Sequence, residues 1–228
     1  MKNHTILSSR WTSAAALAMM CLAACTPTPN APAPTSTTPS PAHLGYQVPD
    51  LVQFSEHWIA TPAVDLMSPD GTFVRAFIES EQVQLFSRPE DSPYPGYRQA
   101  DRQTNGRTLG VYQPYHGYTT RRVMSFEEHP DSTVTAFICS YTSIRPMKED
   151  VPPGISGSTL RYHRNGTPPP ANQKGPSRAP AASVFGDWYA TFYGPDGNPN
   201  ESAKPCIEAQ PVIDKSLVST PGWPAQAV

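Results

Sequence analysis

Between Arg10 and Asp50 the sequence contains no Asp, Glu, Lys or Arg, and neither half of this uncharged span is suited to a globular core. The first half follows a short basic lead, Lys2 and Arg10, and is the apolar run Ala14-Ala15-Ala16-Leu17-Ala18-Met19-Met20-Cys21-Leu22-Ala23-Ala24. Basic lead, short apolar core and small closing residues form the pattern of a secretory signal. The run is well short of the roughly 20 apolar residues that a membrane-spanning helix needs. The second half, residues 26–41, is built from Pro, Thr, Ser, Ala and one Asn. It has too little apolar surface to offset the entropy of ordering it. Its prolines favour an extended spacer of about 3.1 Å per residue. Dense Thr and Ser among prolines also suit an O-glycosylated stalk; an unmodified, disordered tether is the simpler reading.

Leu22-Ala23-Ala24-Cys25 closes the apolar run and resembles the lipobox of bacterial lipoproteins, whose cysteine is diacylated and becomes the first residue of the mature chain. The resemblance implies a signal peptide over 1–24 and a tether over 25–47 that starts at lipidated Cys25. It places the protein on the extracytoplasmic face of the cell membrane, with the membrane as a partner through the lipid anchor. Each buried CH₂ contributes about 0.8 kcal/mol, so two acyl chains hold stably where one holds reversibly. The alternative is an ordinary secreted protein with a chance cysteine. The chain carries 17 Lys and Arg against 19 Asp and Glu, and loss of Lys2 and Arg10 takes the net charge from −2 to −4. A mildly acidic chain without a basic cluster argues against a nucleic-acid partner. Of the four cysteines, Cys21 would leave with the signal and Cys25 would be acylated. Cys139 and Cys206 remain in a compartment where disulfides persist, and are expected to pair; two separate buried thiols are the alternative.

Residues 48–210 have the length of one domain, with 211–228 expected as a disordered or loosely packed tail. Val48, Leu51, Val52, Ser55, Trp58 and Ile59 follow helical spacing. A second helix starts with Ser68 as N-cap, Pro69 at the first helical position and Asp70 in the first turn. Its apolar stripe runs to Leu85, and Arg88-Pro89 ends it; a short third helix is expected near Gln99. Strands follow: 119–127, the β-branched and aromatic 133–142, 160–163 and 184–193, with Asp131-Ser132 as a hairpin turn. Residues 167–182, rich in Pro, Gly and Ala, read as a surface excursion or disordered loop. Helices first and antiparallel strands after them define an α+β class.

No metal-ligand, phosphate-cradling or redox motif stands out, and neither a cofactor nor a catalytic residue is assigned. Gly154-Ile155-Ser156-Gly157-Ser158 lacks the second glycine of a nucleophile elbow where Ser158 stands, follows Pro152-Pro153, and reads as a loop. His43, His57, His116, His129 and His163 are scattered and read as structural. Tyr115, Tyr118, Tyr141, Tyr162 and Tyr189 concentrate in the strand half. Rings with polar tips suit a pocket lining, although sheet packing explains most of them.

The order of helices, hairpin strands and a final Gly186-Asp187-Trp188-Tyr189 strand resembles the nuclear-transport-factor-2-like (NTF2-like, cystatin-like) cone. Together with Thr133-Val134-Thr135-Ala136-Phe137-Ile138-Cys139, it is similar to cell-envelope lipoproteins of high-GC Gram-positive bacteria. The resemblance implies N-terminal helices packed on a curved antiparallel sheet, with a pocket at the open end. Three functions follow as expectations: a non-catalytic domain binding an envelope protein or a small apolar ligand, a hydrolase or isomerase with an acid/base pocket, or a structural spacer. Convergence of Asp187, Arg122, His116 or His163 in one pocket would favour the enzyme.

Overall fold

A computed structural model describes residues 45–103, 110, 112–147 and 151–225. All lie in one compact unit, Pro41–Val228. Cys25, the signal and most of the tether lie outside the described residues. Among the described residues no helix is long and apolar enough to cross a membrane. The domain packs from slightly before the expected boundary: the Tyr46 hydroxyl donates to the Ser92 carbonyl at 2.9 Å, and its ring meets Tyr94 edge-on.

The protein is an α+β domain with a five-strand mixed open sheet. In chain order it comprises β1 (Val52–Trp58), α1 (Pro69–Leu85), α2 (Tyr97–Ala100), β2 (Tyr115–Glu128), β3 (Thr133–Arg145), β4 (Gly154–His163), β5 (Tyr189–Gly194) and α3 (Pro199–Glu208). The sheet order is β1-β2-β3-β4-β5. β2 to β5 form an antiparallel meander, whereas β1 lies parallel to β2 at the edge. A parallel neighbour requires a long crossover, and α1 and α2 provide it.

The first element is therefore a strand and not the expected helix over 48–59. Phe54, Glu56 and Trp58 face α1 and β2, while Ser55 and His57 face the C-terminal segment. Both faces are covered, so the strand lacks the apolar–polar alternation of a half-exposed one. The expected antiparallel sheet is accordingly mixed.

α1 forms where its start signals lie. The Ser68 hydroxyl accepts from the Gly71 amide at 3.1 Å, Pro69 occupies the first turn, and Phe73, Val74, Phe77 and Ile78 are buried. Phe73 packs on Tyr162, Phe185 and Trp188, which ties α1 to β4 and to the segment before β5. The β2–β3 hairpin turns where expected: Ser132 has φ +64°, and the Asp131 carboxylate accepts from the Thr133 amide at 3.1 Å.

Four other expectations change. Gly154–Ser158 is not a loop but the first half of β4, paired with β3 from Thr142 to Ile138. A Cβ on Gly157 would collide with the Ser202 carbonyl and the Phe137 ring, so this glycine lets α3 approach the sheet. The strand expected over 184–193 is confined to Tyr189–Gly194; Val184, Phe185 and Trp188 enter the core from irregular chain. Residues 167–182 are irregular but tied down, since Ser177 and Trp223 exchange backbone hydrogen bonds at 3.0 and 2.9 Å. The tail expected to be loose is anchored by Trp223, which is wholly buried. Just before it, Thr220 pairs with the free edge of β1, donating to the Glu56 carbonyl and accepting from the Trp58 amide.

Cys139 on β3 and Cys206 on α3 form a disulfide with Cα atoms 5.3 Å apart. The Tyr141 hydroxyl donates to the Cys206 carbonyl at 2.8 Å, closing a small second core on the sheet face opposite α1.

Candidate functional site

The parallel register of β1 on β2 sets Gln53 beside His116 and Ser55 beside Tyr118 on one sheet face. Two irregular segments complete a cavity of about 720 Å³ there: Pro176 and Arg178 from the long loop, and Lys215 to Ser219 from the C-terminal segment. Val52, Phe54, Met147, Leu217 and Val218 supply its apolar walls. No Asp or Glu is among its lining residues.

Arg178 reaches across the edge of β1. Its Nε donates to the Phe54 carbonyl at 3.1 Å and its Nη1 to the Tyr94 hydroxyl at 2.7 Å. Behind it lie two buried carboxylates, Glu56 at 3.6 Å and Glu79 at 3.8 Å. Glu56 also ion-pairs with Arg121 of β2. Glu79 is saturated by neutral donors, accepting from the Trp58 and Trp223 indoles at 2.9 Å each and from the Tyr94 hydroxyl at 2.8 Å. Arg75, fully buried one turn before Glu79 on α1, donates to the carbonyls of Gln173, Pro221 and Gly222 and stacks on Trp223 at 4.4 Å. Burial pushes the Glu56 carboxyl up to about 6, against the lowering influence of Arg121 and Arg178. Buried ions require such dense pairing because each costs several kcal/mol to desolvate.

Beside the cavity the C-terminal segment is latched to β1. The Ser55 hydroxyl donates to the Ser216 carbonyl at 2.6 Å, and His57 Nε2 stands 3.0 Å from that carbonyl and 2.9 Å from Ser55 Oγ. His57 Nδ1 lies 3.4 Å from an Asp214 carboxylate oxygen. The Ser216 amide, and then His57, hold the Asp214 carboxyl below its usual range. Serine, imidazole and carboxylate thus stand in the order of a hydrolytic triad. The Ser55 proton, however, is engaged by a main-chain carbonyl.

The five tyrosines are not brought together. Tyr118 lines the cavity, with its hydroxyl buried and without a hydrogen-bond partner among the described residues. Tyr115 packs on Phe86, Tyr141 lies at the disulfide, and Tyr162 sits in the main core with its hydroxyl on Asp70. Tyr189 lies between His163 and Arg102. Asp187, Arg122, His116 and His163 do not converge either. His116 and His163 are opposite Arg145 and Thr133, at the two ends of β3, which is about 40 Å at roughly 3.3 Å per residue. Asp187 caps the Thr167 amide at 2.7 Å, which holds its carboxyl below the usual range. Among the described residues no His, Cys, Asp and Glu group could hold a metal ion.

Sequence reasoning missed Ser55, Glu56, His57, Glu79, Arg178 and Asp214. The one local signal was Arg75 and Glu79, an i,i+4 charged pair set among the phenylalanines of α1.

The fold and the cavity define an α+β domain with a mixed open sheet and a recess along its parallel edge. No family model, curated protein or solved structure matches the chain.

Proposed function

We propose that the protein is a lipid-anchored, extracytoplasmic binding protein whose globular domain takes a small ligand in the cavity beside β1. The cavity carries this reading: at about 720 Å³ it falls within the 300–1,000 Å³ of small-molecule sites. It joins apolar walls to a few convergent polar groups, as such sites do. A spacer has no use for such a recess. The Leu22-Ala23-Ala24-Cys25 box supports anchoring at Cys25, and the Cys139–Cys206 disulfide suits an oxidising compartment. The NTF2-like reading keeps the β2–β5 meander with α1 against it as support; parallel β1 departs from the resemblance. Mass spectrometry of extracts from the purified full chain tests the binding reading, with a co-purifying small molecule lost on Ser55→Trp as the expected result. Retention of the molecule by that variant places the site elsewhere.

The Ser55–His57–Asp214 arrangement favours a second reading, a serine hydrolase using the same cavity. It requires the Ser216 carbonyl to withdraw so that Ser55 can pass its proton to His57. A fluorophosphonate probe that labels Ser55, with ester hydrolysis abolished by Ser55→Ala, would establish it. Absence of labelling leaves the binding reading.

A further inference from the structure

We infer that the ligand of the β1-edge cavity is a short extended peptide with an apolar side chain, one residue of which pairs with the main chain of β1 at Val52 and Phe54. The inference rests on the reading of the domain as a ligand-binding module and names the chemical class.

The main-chain hydrogen bonds of β1 are the first argument. The Tyr115 amide donates to the Leu51 carbonyl at 2.8 Å, and the Ile59 amide to the Arg121 carbonyl at 2.8 Å. With the unbroken parallel register between them, the odd-numbered residues of β1 bond to β2. The N–H and C=O groups of Val52, Phe54 and Glu56 and the Trp58 amide therefore point to the outer edge. Most of these are taken. The Val52 amide donates to the Pro49 carbonyl at 3.0 Å, the Phe54 carbonyl accepts from Arg178, and the Glu56 amide donates to Ser219 Oγ at 3.0 Å. Thr220 takes the next pair, donating to the Glu56 carbonyl at 2.8 Å and accepting from the Trp58 amide at 2.6 Å. The Val52 carbonyl and the Phe54 amide have no hydrogen-bond partner among the described residues. Both residues are buried, and both line the cavity. Main-chain groups in buried positions are paired in more than about 90% of cases. An occupant of the cavity that brings one donor and one acceptor to this edge completes the pairing.

Thr220 shows how such an occupant sits. It runs parallel to β1 and, with its own N–H and C=O, meets a carbonyl and the amide two residues further on. Val52 and Phe54 present the same pair of groups four residues earlier on the same edge. The C-terminal segment does not fill that place, because the Ser216 carbonyl is held over the sheet face by Ser55 and His57. A hydrocarbon or an ionised acid brings no donor for the Val52 carbonyl, whereas an extended peptide residue carries both groups at strand spacing. The pairing stops at one residue, since Arg178 and Ser219 occupy the next two outward groups. This favours a short peptide over the strand of a larger partner. The side chain of the paired residue falls on the sheet face of Gln53 and His116. Exposed Met147, Leu217 and Val218 line the same cavity and suit an apolar group. The buried Tyr118 hydroxyl, also without a partner among the described residues, stands in the cavity wall to meet a flanking peptide group.

The test uses the full chain and one blocked tripeptide, acetyl-alanyl-leucyl-alanine amide, with three analogues in which an ester oxygen replaces the N–H of each residue in turn. Binding is read by calorimetry and by the amide resonances of isotope-labelled protein. The parent should bind, one ester should bind about tenfold more weakly and the other two like the parent, because a single N–H reaches the Val52 carbonyl and its loss leaves that group unpaired. The Phe54 amide resonance should shift on saturation, while that of Trp58, already bonded to Thr220, stays in place. Leu217→Asp, on exposed chain, should weaken the parent about fivefold and leave the ratio between parent and sensitive ester unchanged. Equal binding of parent and all three esters, or a Phe54 amide indifferent to the parent, overturns the inference and leaves the binding reading standing. A co-purifying peptide that blocks the titration supports it. Absence of peptide binding up to millimolar concentration overturns the inference alone when a co-purifying molecule that is not a peptide occupies the cavity, and both readings when nothing co-purifies.

Discussion

The Trp223 indole donates to a Glu79 carboxylate oxygen at 2.9 Å, joining the C-terminal segment to the middle of α1 across 144 positions of sequence. Trp223 is wholly buried, stacks with Arg75 and meets Tyr94 edge-on. The segment that carries it also pairs with β1 and walls the cavity. One tryptophan thus couples the chain end, the buried charges and the site.

Trp223→Ala should lower stability by about 3–5 kcal/mol, as expected for a large-to-small change in a core. Trp223→Phe, which keeps most of the volume but removes the donor to a charged acceptor, should cost about 1.5–3 kcal/mol. Urea unfolding of the two variants checks the order. A Trp223→Phe loss close to zero would mean that the hydrogen bond to Glu79 contributes nothing, and equal losses would mean that the ring's packing adds nothing beyond that bond.

Replacing Cys139 and Cys206 together by Ala should cost about 2–5 kcal/mol, the usual range for a native disulfide in a secreted domain. The cross-link spans 67 positions and clamps α3 to β3. Unfolding with and without reductant should shift the wild-type midpoint and leave the double variant's midpoint in place. A wild type indifferent to reductant would show that the bond is not formed in the protein as isolated.

Glu56 faces Arg121 from β2, Arg178 from the long loop and Glu79 from α1, and burial raises its carboxyl to about 6. An acid with a raised folded-state value binds its proton more readily when folded, so its contribution to stability falls as pH rises from about 4.5 to 6. Asp214 and Asp187, both held below their ordinary 3.8, act in the opposite sense and only at lower pH. The difference in stability between wild type and Glu56→Gln should therefore change between pH 4.5 and 6 and be flat from pH 7 to 8. A difference that is flat throughout would show that Glu56 keeps an ordinary carboxylate value.

What could be read from the sequence was what is encoded locally. Ser68, Pro69 and Asp70 announce α1 because caps act within one turn. The β-branched run of β3 and the Asp131-Ser132 turn announce the hairpin for the same reason. The disulfide followed from there being so few cysteines to choose between. β1 was hidden because Ser55, Glu56 and His57 look soluble until their partners are known. Ser55 finds its partner at Ser216, 161 positions on, and Glu56 finds Arg121, 65 positions on. Gly157 was misread because the carbonyl that needs its missing side chain belongs to Ser202 on a helix not foreseen. The cavity is assembled from β1, β2, the long loop and the C-terminal segment, so no stretch of sequence contains it.

The latch between β1 and residues 214–216 should control access to the cavity, because the residues immediately after it, Leu217 and Val218, form the exposed rim. His57 is buried and Asp214 half exposed, so the pair holds the segment from one anchored end. Asp214→Asn keeps the shape and removes the charge facing the imidazole. His57→Gln removes the imidazole and leaves Ser55 bonded to the Ser216 carbonyl. Hydrogen exchange at residues 215–219 should quicken in both variants, while exchange in β3 and α1 stays at wild-type rates, since local opening need not follow global stability. Asp214→Asn should raise exchange severalfold and His57→Gln more, because His57 meets both Asp214 and the Ser216 carbonyl. Unchanged exchange at 215–219 in both variants would mean that the Thr220 pairing and Trp223 hold the segment without the latch.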